Sequence, residues 1–411
     1  MENTKKAAKN IIMLYTLNMA QLILPFLTLP YLTRILSLEN YGVVSYVKSI
    51  MMYMTLVIEF GFVLSGTKLV VEAKKNKKNI GRIVGTITQC KLILSFFSFI
   101  FLLLLITWVP LLNKHVLFTL LSFVPSFLTI FLCDYLFRGL EKMQIVSVRY
   151  IVMKGISTFL TFIIIKGDSQ LLLIPVLDIL GSLVAVAWIF SEIKKMNIEI
   201  TFSGFSTVYK YIKESFIYFV SDMASTAFGA FNTFCIGIFL SARDIAFWGV
   251  LMSIITAVQS MFTPISDGIY PRMIDTKSIK LFLKILFFFI PFLIIGSFIT
   301  YFGSDLILTI IGGSKYTPAA IYLRESIPLI VISFFSIICG WPLLGSINKI
   351  KQTTFTTMLS AVIQVTLMFA LIAINSLTIT LSLVTRTITE FVLASMRIIL
   401  AFKYRKLFNT K

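Results

Sequence analysis

The sequence predicts an all-α integral membrane protein with about 12 transmembrane helices in two six-helix bundles. Of the 411 residues, 58% are hydrophobic and 13% are charged, and the mean hydropathy is +0.94. An ordinary soluble domain has only about 45–50% apolar residues. The polar breaks between apolar runs are short, and the positive residues concentrate in alternate breaks. Segments that span a bilayer must satisfy their own backbone hydrogen bonds, and we therefore expect helices throughout.

The apolar runs divide the chain into about 12 spans, each near the length of roughly 20 residues that a bilayer requires. In chain order they are Ile11–Ile35, Tyr41–Gly66, Ile83–Trp108, Val116–Arg138, Ile145–Ile165, Leu171–Ser191, Ser215–Leu240, Ile245–Tyr270, Leu281–Phe302, Ala319–Gly345, Thr353–Ile374 and Leu377–Phe402. The longest break on the side of the termini, Glu192–Glu214, lies near the middle of the chain. We therefore expect two domains, residues 1–203 and 204–411.

The distribution of Lys and Arg predicts the orientation in the membrane. When breaks are assigned alternately to two sides, most of the 37 Lys and Arg fall on the side of both termini, including KKNKK at Lys74–Lys78. The other side holds Arg34, Lys114, Lys166, Arg243 and Lys315. Because positive loops stay in the cytoplasm, both termini are predicted to be cytoplasmic. The formal net charge of +19 then reflects topology, and we expect no nucleic-acid partner.

Residues suited to metal or redox chemistry are scarce. The four cysteines, Cys90, Cys133, Cys235 and Cys339, lie in separate apolar runs without C-x-x-C spacing. The single histidine, His115, falls in a short predicted loop. This pattern predicts neither a disulfide framework nor a metal site, and we expect no cofactor.

The second predicted span carries two charges on one helix face. Ser45, Lys48, Met52, Thr55 and Glu59 recur at spacings of three and four, which keeps them on one narrow face. Lys48 and Glu59 are about 16 Å apart along the axis at 1.5 Å per residue, too far to pair directly. A charge in mid-membrane costs at least ~2.5 kcal/mol. We therefore expect both side chains to face protein or water.

Polar faces recur in three further spans. Span eight repeats the spacing of span two and again ends on an acid, with the residues Ser253, Thr256, Ser260, Thr263 and Asp267. This correspondence indicates a parallel repeat of two halves. Spans one and seven also carry polar stripes, which include Asn18 and Asp222 respectively. Packed against one another, the four faces would line a hydrated central cavity.

The candidate site residues form two groups. The substrate-binding candidates are Asn18, Gln21, Arg34, Lys48, Asn232 and Gln259. The coupling-ion or gating candidates are Glu59, Asp222, Asp267, Arg386 and Glu390. Structural roles are the alternative, since polar residues also join helices and Arg386 with Glu390 is an i,i+4 pair. Lys91, Lys154 and Asp134 are predicted near the inner ends of spans, where snorkelling to the interface explains them.

Four short motifs together carry a family resemblance. They are PYLTRILSLENYG at Pro30–Gly42, EFGF at Glu59–Phe62, DYLFRGLEKM at Asp134–Met143 and LLGSINKIKQ at Leu343–Gln352. They resemble the bacterial polysaccharide flippases of the O-antigen (Wzx) type, in the superfamily that contains the MATE multidrug exporters. Two departures leave the sugar preference open. Ser37–Asn40 replaces the usual glycine-proline-rich turn, and Glu59 stands where the family often has Asp.

The resemblance implies a MATE-like, V-shaped fold in the bacterial cytoplasmic (inner) membrane. It implies a flippase that moves a polyprenyl-pyrophosphate-linked oligosaccharide from the inner to the outer leaflet by alternating access. The product would serve O-antigen or capsule synthesis, alongside a polysaccharide polymerase and a chain-length regulator. Lys48 and Arg34 would attract the pyrophosphate, the amide candidates would bind sugar hydroxyls, and an acid would couple transport to a proton or sodium gradient.

Two other functions stay open at this point. A MATE-like, cation-coupled exporter of small molecules would need an acidic, aromatic-lined pocket. A membrane polysaccharide polymerase would commonly display a large outer loop with catalytic residues, and the sequence has only short outer loops. We therefore expect a transporter and not an enzyme.

Overall fold

The protein is helical almost throughout. The computed structural model describes residues 2–74 and 76–409, with side chains from residue 10 onward except 11, 224, 225 and 227–229. These residues include no β-strand, and one isolated bridge joins Ser278 to Asn409. They form two compact units, Met1–Met223 and Ala224–Lys411.

The N-terminal unit contains nine α-helices and the beginning of a tenth. They are α1 Glu2–Ile35, α2 Leu38–Glu59, α3 Phe62–Glu72, α4 Lys77–Trp108, α5 Pro110–Lys114, α6 Val116–Leu128, α7 Asp134–Gly139, α8 Met143–Ile164, α9 Leu173–Lys195 and the first turns of α10 Phe205–Phe239. The predicted division at residues 203 and 204 lies just before α10. The two compact units divide inside this helix, because its first turns pack on the N-terminal unit.

The C-terminal unit continues α10 and adds six further α-helices. They are α11 Ala242–Thr276, α12 Ile279–Gly312, α13 Ala320–Glu325, α14 Ile327–Ile338, α15 Ile350–Ala373 and α16 Ile379–Lys403. A π-helical turn, Cys339–Leu344, extends α14. The helices α14 and α15 both pack on α16, and α11 packs on α14.

The helices account for the expected membrane spans. Ten helical segments in the described residues are long and apolar enough to cross a membrane. The helices α10 and α16, with 35 and 25 residues, also exceed the length of about 20 residues that a bilayer requires. The prediction of an all-α membrane protein with about 12 spans is confirmed.

Polar caps fix the helix ends at the tight turns between spans. The Ser37 hydroxyl accepts a hydrogen bond from the Asn40 N–H at the start of α2. Ser241 and Asp244 form a capping box at the start of α11, and Thr378 caps α16. Each cap satisfies backbone N–H groups that a helix start leaves unbonded. The chain can therefore reverse direction within a few residues.

A break divides the second predicted span into α2 and α3. Phe60 and Gly61 both have positive φ, 42° and 72°. A Cβ placed on Gly61 would lie 2.5 Å from the Tyr218 Cβ and 2.7 Å from the backbone nitrogen of Phe219, both on α10. The rings of Phe60 and Phe219 stack with centroids 4.4 Å apart. The break thus lets the backbones of two helices meet, a contact that helical periodicity did not predict.

The helices of the N-terminal unit pack in two connected groups. The helix α8 lies between α1 and α9, whereas α6 contacts both α2 and α9. The helix α3 packs on α7, and their apolar residues join a buried cluster that includes Val70, Leu136 and Phe137. This arrangement places α2 and α9 beside α6, with α8 on α9, and positions the charged residues described next.

Candidate functional site

Lys48 lies near the middle of α2 on a face that no other helix of the described residues covers. Its side chain is exposed, as is that of Met52 one turn later. The opposite face of α2, with Tyr46, Ile50 and Ile58, is buried. Lys48 forms no ion pair with any described residue. Because an ammonium group in hydrocarbon costs at least ~2.5 kcal/mol, we infer that this face of α2 borders water.

A second lysine and an aspartate form an ion pair between α8 and α9. The Lys154 Nζ donates to the Asp178 Oδ1 at 2.8 Å, and the Ser157 hydroxyl donates to the same oxygen at 2.7 Å. Asp178 lies on the same face of α9 as the buried residues Ser182 and Ala185. The side chains of Lys154 and Asp178 nevertheless keep 36% and 33% exposure. This ion pair between two spans is therefore only partly enclosed.

The pair and Lys48 belong to one cluster. Lys48 is within electrostatic range of both Lys154 and Asp178. The helix packing agrees, since α6 contacts α2 and α9 while α8 contacts α9. We call Lys48, Lys154, Ser157 and Asp178 the charged cluster. Two ammonium groups and one carboxylate leave it with one excess positive charge, which favours an anionic ligand.

Glu59 takes part in a separate, more enclosed ion pair. Its Oε2 accepts from the Lys91 Nζ of α4 at 2.7 Å, and the Lys91 side chain is only 1% exposed. The same ammonium lies 5.7 Å from the ring centroid of Tyr135. The Thr55 hydroxyl, one turn before Glu59, donates to Ser126 of α6 at 2.9 Å. The C-terminal half of the polar face of α2 thus bonds to neighbouring helices through Thr55 and Glu59, whereas the Lys48 side chain is exposed.

Lys91, Lys154 and Asp134, which the sequence predicted to snorkel to the interface, all have ion-pair partners in the structure. Lys91 and Lys154 have carboxylate partners in the interiors of spans, and Asp134 binds the Arg149 guanidinium at 2.8 Å. A buried ammonium is stabilised far more by a carboxylate in direct contact than by a stretched route to the interface.

The Lys91–Glu59 ion pair is expected to contribute to the stability of the protein. Lys91→Ala leaves a partly buried carboxylate without its partner, and we expect the free energy of unfolding to fall by about 3 kcal/mol. The double variant Lys91→Met/Glu59→Gln removes both charges and should regain most of this loss. Thermal unfolding of the purified variants in detergent measures both. Equal instability of the single and double variants would contradict a pairing role for Glu59.

The candidates on α1 lie on open faces. Asn18, Gln21 and Arg34 are all exposed. Arg34 stands in the last turn of α1, just before the Ser37 N–H that donates to the Asp168 carboxylate in the α8–α9 connection at 2.8 Å. This bond ties the start of α2 to the same end of the bundle as the connection between α8 and α9. The roles of the three residues in substrate binding stay a prediction.

Asn232 lies inside the C-terminal unit and not on an open face. Its side chain is 0% exposed, and its Oδ1 accepts from the Gln364 Nε2 of α15 at 2.8 Å. The Gln364 amide also reaches the hydroxyl of Thr385 on α16 at 3.4 Å. These bonds join three helices, α10, α15 and α16. In this structure Asn232 therefore connects helices, and its proposed contact with sugar hydroxyls would require the helices to separate.

Arg386 and Glu390 belong to a buried polar network around α16. Both side chains are buried, and each is within electrostatic range of the other. The Ser336 hydroxyl of α14 donates to the Glu390 carboxylate. Arg397 lies two turns after Glu390 on the same face of α16. It donates to the Ser336 carbonyl oxygen and to the Thr357 hydroxyl of α15. The network joins α14, α15 and α16. A gating role for Arg386 and Glu390 stays a prediction.

Three candidates lie on more accessible positions of α10 and α11. Asp222 and Gln259 are half-buried, and Asp267 is exposed. The polar repeat on α11 bonds mostly to its own helix, as the hydroxyls of Ser253 and Ser260 donate to carbonyl oxygens four residues earlier. The roles of these three residues in lining a cavity or in coupling stay predictions.

The sequence matches the family model described as "Polysaccharide biosynthesis protein" over residues 7–277. This is well over half of the chain. The protein belongs to this family. The resemblance inferred from the four sequence motifs is confirmed, and the charged cluster lies within the matched region.

Curated relatives extend the likeness over almost the whole chain. A protein of Escherichia coli (strain K12) named "Putative O-antigen transporter" is 26% identical over 386 residues, which cover 90% of this chain and 91% of the relative. A protein of the same name from Shigella dysenteriae is 24% identical over 373 residues, with 89% and 92% coverage. This member of the polysaccharide biosynthesis family is thus similar in length and sequence to proteins named as transporters.

Solved structures show the same fold. An inward-facing multidrug resistance MATE family transporter of the MOP superfamily has a TM-score of 0.67 at 12% identity, and covers 94% of this chain and 98% of its own. A MATE structure in the straight conformation has a TM-score of 0.54 at 12% identity, with 96% coverage of both chains. The MATE-like fold predicted for this family member is confirmed.

Sequence reasoning missed Asp178 and undervalued Lys154. Asp178 is the one charge in its predicted span, and Lys154 shares its predicted span with Arg149. A charge within a predicted span is the same signal that identified Lys48. Asp178 and Lys154 do not share a helix with Lys48, and no periodicity within one span connects the three. A systematic search for every charge within the predicted spans would have found them.

Proposed function

We propose that the protein is a flippase that moves polyprenyl-pyrophosphate-linked oligosaccharide repeat units from the inner to the outer leaflet of the bacterial cytoplasmic membrane. Membership of a polysaccharide biosynthesis family and similarity to proteins named as O-antigen transporters support transport over catalysis. The observation that carries the proposal is the charged cluster, which offers water-accessible ammonium groups at mid-helix positions.

The physical problem of such a flippase is the head group. Moving a diphosphate and several sugars through hydrocarbon would strip their hydration, at a cost of several kcal/mol for each unpaired polar group and far more for each charge. A polar, hydrated surface with cationic side chains replaces part of that hydration. The polyprenyl tail needs no such surface, because it remains in lipid throughout.

The proposed transport cycle is alternating access, in which one binding region opens first to the cytoplasm and then outward. In this scheme both termini lie in the cytoplasm, and Lys48 with Arg34 attracts the pyrophosphate. Asn18, Gln21 and Gln259 bind hydroxyls, and Asn232 does so only in a state in which α10, α15 and α16 separate. Coupling to a proton or sodium gradient falls to one or more of the gating candidates, Glu59, Asp222, Asp267, Arg386 and Glu390.

The charge of the cluster favours this proposal over export of organic cations. Lys48 and Lys154 outnumber the one carboxylate near them, and an organic cation would meet repulsion there. A polysaccharide polymerase and a chain-length regulator would then act on the exported unit, as partners and not as activities of this chain.

A leaflet assay on a deletion strain tests the proposal. Without the gene, lipid-linked oligosaccharide should accumulate on the inner leaflet, and plasmid-borne protein should restore its exposure at the outer leaflet. Accessibility of the glycan to a lectin or glycosidase, in spheroplasts against inverted vesicles, measures the distribution. Unchanged outer-leaflet exposure in the deletion strain would overturn the flippase assignment.

A further inference from the structure

The Lys154–Asp178 pair differs from the other ion pairs inside the spans of the N-terminal unit. In Lys91–Glu59 the lysine is 1% exposed and the glutamate 24%, and in Arg149–Asp134 the arginine is 4% exposed and the aspartate 28%, so that the main difference lies in the cation. Lys154 and Asp178 are each about one-third exposed, at 36% and 33%. The pairs of comparable or greater exposure, such as Lys74–Glu141, lie outside the span interiors. Lys154–Asp178 is therefore an interior pair in which both side chains keep partial exposure.

Accessibility makes this pair exchangeable. Enclosed ion pairs are costly to open, because each partner is left as a buried charge. Pairs in contact with water contribute roughly 0–1 kcal/mol, because water or another ion readily replaces the partner. An incoming phosphate oxygen could therefore take the place of the Asp178 oxygen at the Lys154 ammonium. Ser157 would hold the released carboxylate, since its hydroxyl already donates to Asp178.

We propose that Lys154 is a second cationic ligand for the diphosphate of the substrate, and that Asp178 is its exchangeable counter-ion. This inference rests on the proposed function and names the part of the substrate that the N-terminal unit binds. Without substrate, Asp178 neutralises Lys154 and keeps its ammonium group oriented. With substrate, Lys48 and Lys154 bind the phosphate oxygens, and the nearby carboxylate limits the affinity.

The limited affinity has a purpose in transport. A carrier that holds its cargo too tightly cannot release it on the other side, and binding that is equally strong in all states does not speed the cycle. A carboxylate beside the site weakens anion binding through like-charge repulsion. Asp178 would thus favour release of the head group, while Lys48 and Lys154 favour its capture.

Titration of the purified full-length protein in detergent with inorganic pyrophosphate tests the site. By calorimetry, Lys154→Ala should weaken pyrophosphate binding about tenfold or more, and Lys154→Arg should restore most of it. Asp178→Asn should have the opposite effect and tighten binding by about tenfold, because it removes the repulsion but keeps a partner for Ser157. The control is Lys194→Ala, which removes an exposed lysine near the end of α9 and should leave binding unchanged.

The opposite effects expected for Lys154→Ala and Asp178→Asn exclude misfolding as a common explanation, because an unfolded variant does not bind pyrophosphate more tightly. Glucuronate serves as a second probe, since a sugar carboxylate is the other anionic group that an acidic glycan could present. Tighter binding of glucuronate than of pyrophosphate would overturn the diphosphate assignment. Equal pyrophosphate affinity in wild type, Lys154→Ala and Asp178→Asn would overturn the site itself.

Export measurements separate this inference from the proposed function. Pyrophosphate binding that depends on Lys154, together with normal outer-leaflet exposure in the deletion strain, would reject the flippase role and leave the anion site standing. Export that is lost on deletion but fully restored by Lys154→Ala and by Asp178→Asn would leave the flippase role standing and reject the site.

Discussion

Replacing Lys48 by alanine is expected to lower export of the lipid-linked oligosaccharide by between about tenfold and a hundredfold. A hydrogen bond to a charged group contributes roughly 1.5–3 kcal/mol, and each 1.4 kcal/mol corresponds to about tenfold in binding. Lys48 is the exposed ammonium of the charged cluster and lacks an ion-pair partner among the described residues. Its loss should therefore affect the ligand far more than the fold. Complementation of the deletion strain measures the effect.

Two matched variants make the Lys48 result interpretable. Lys48→Arg keeps the positive charge and should retain much of the export. Met52→Ala removes an exposed side chain one turn away on the same face of α2 and should leave export near the wild-type level. Protein abundance in the membrane is measured for all three variants. Wild-type export by Lys48→Ala at normal abundance would remove this lysine from the mechanism.

Gly61→Ala is expected to destabilise the protein by about 2–5 kcal/mol. Gly61 has a φ of 72°, and a left-handed conformation costs a residue with a Cβ roughly 1–2 kcal/mol. The new methyl group would also lie 2.5 Å from the Tyr218 Cβ and 2.9 Å from the Tyr218 carbonyl carbon. Overpacking of this kind typically costs a further 1–3 kcal/mol, because backbone atoms must move. The midpoint of thermal unfolding in detergent measures the effect.

Gly296→Ala provides the control for Gly61. Gly296 is an exposed residue within α12. A Cβ built there has no described atom within 4 Å, apart from its chain neighbours and the nearby backbone of its own helix. Alanine is better than glycine in a helix by about 1 kcal/mol, and this variant should be neutral or slightly more stable. If Gly61→Ala unfolds at the same temperature as Gly296→Ala, the close crossing of α10 at the α2–α3 break is wrong.

Periodicity located polar faces but could not identify what they contact. The stripe on α2 correctly placed Lys48, Thr55 and Glu59 on one side of the helix. Only the packing distinguished them, because Thr55 and Glu59 meet Ser126 and Lys91 on neighbouring helices. The partner of Glu59 is 32 residues away along the chain. Which side chains share a helix face depends on the sequence of that helix alone. Which side chains pair between helices depends on how the helices pack.

The same limit applies to Asn232. Its place in a polar stripe of span seven predicted a side chain in a cavity, and the structure places it at the junction of α10, α15 and α16. An amide inside a bundle can bind a sugar or another amide with similar chemistry. Gln364 lies far along the chain, and nothing in the local sequence near Asn232 indicates it.

The sequence by itself determined that this protein is a helical membrane protein, about how many spans it has, and which family it belongs to. Those properties follow from residue type and order, because apolar runs of sufficient length must become helices in a bilayer. Only the tertiary structure decided that Lys154 and Asp178 lie near Lys48, and that the second predicted span breaks at Phe60 and Gly61. Ion pairs and helix crossings depend on distances between segments that are remote in the chain, and these distances are set when the helices pack.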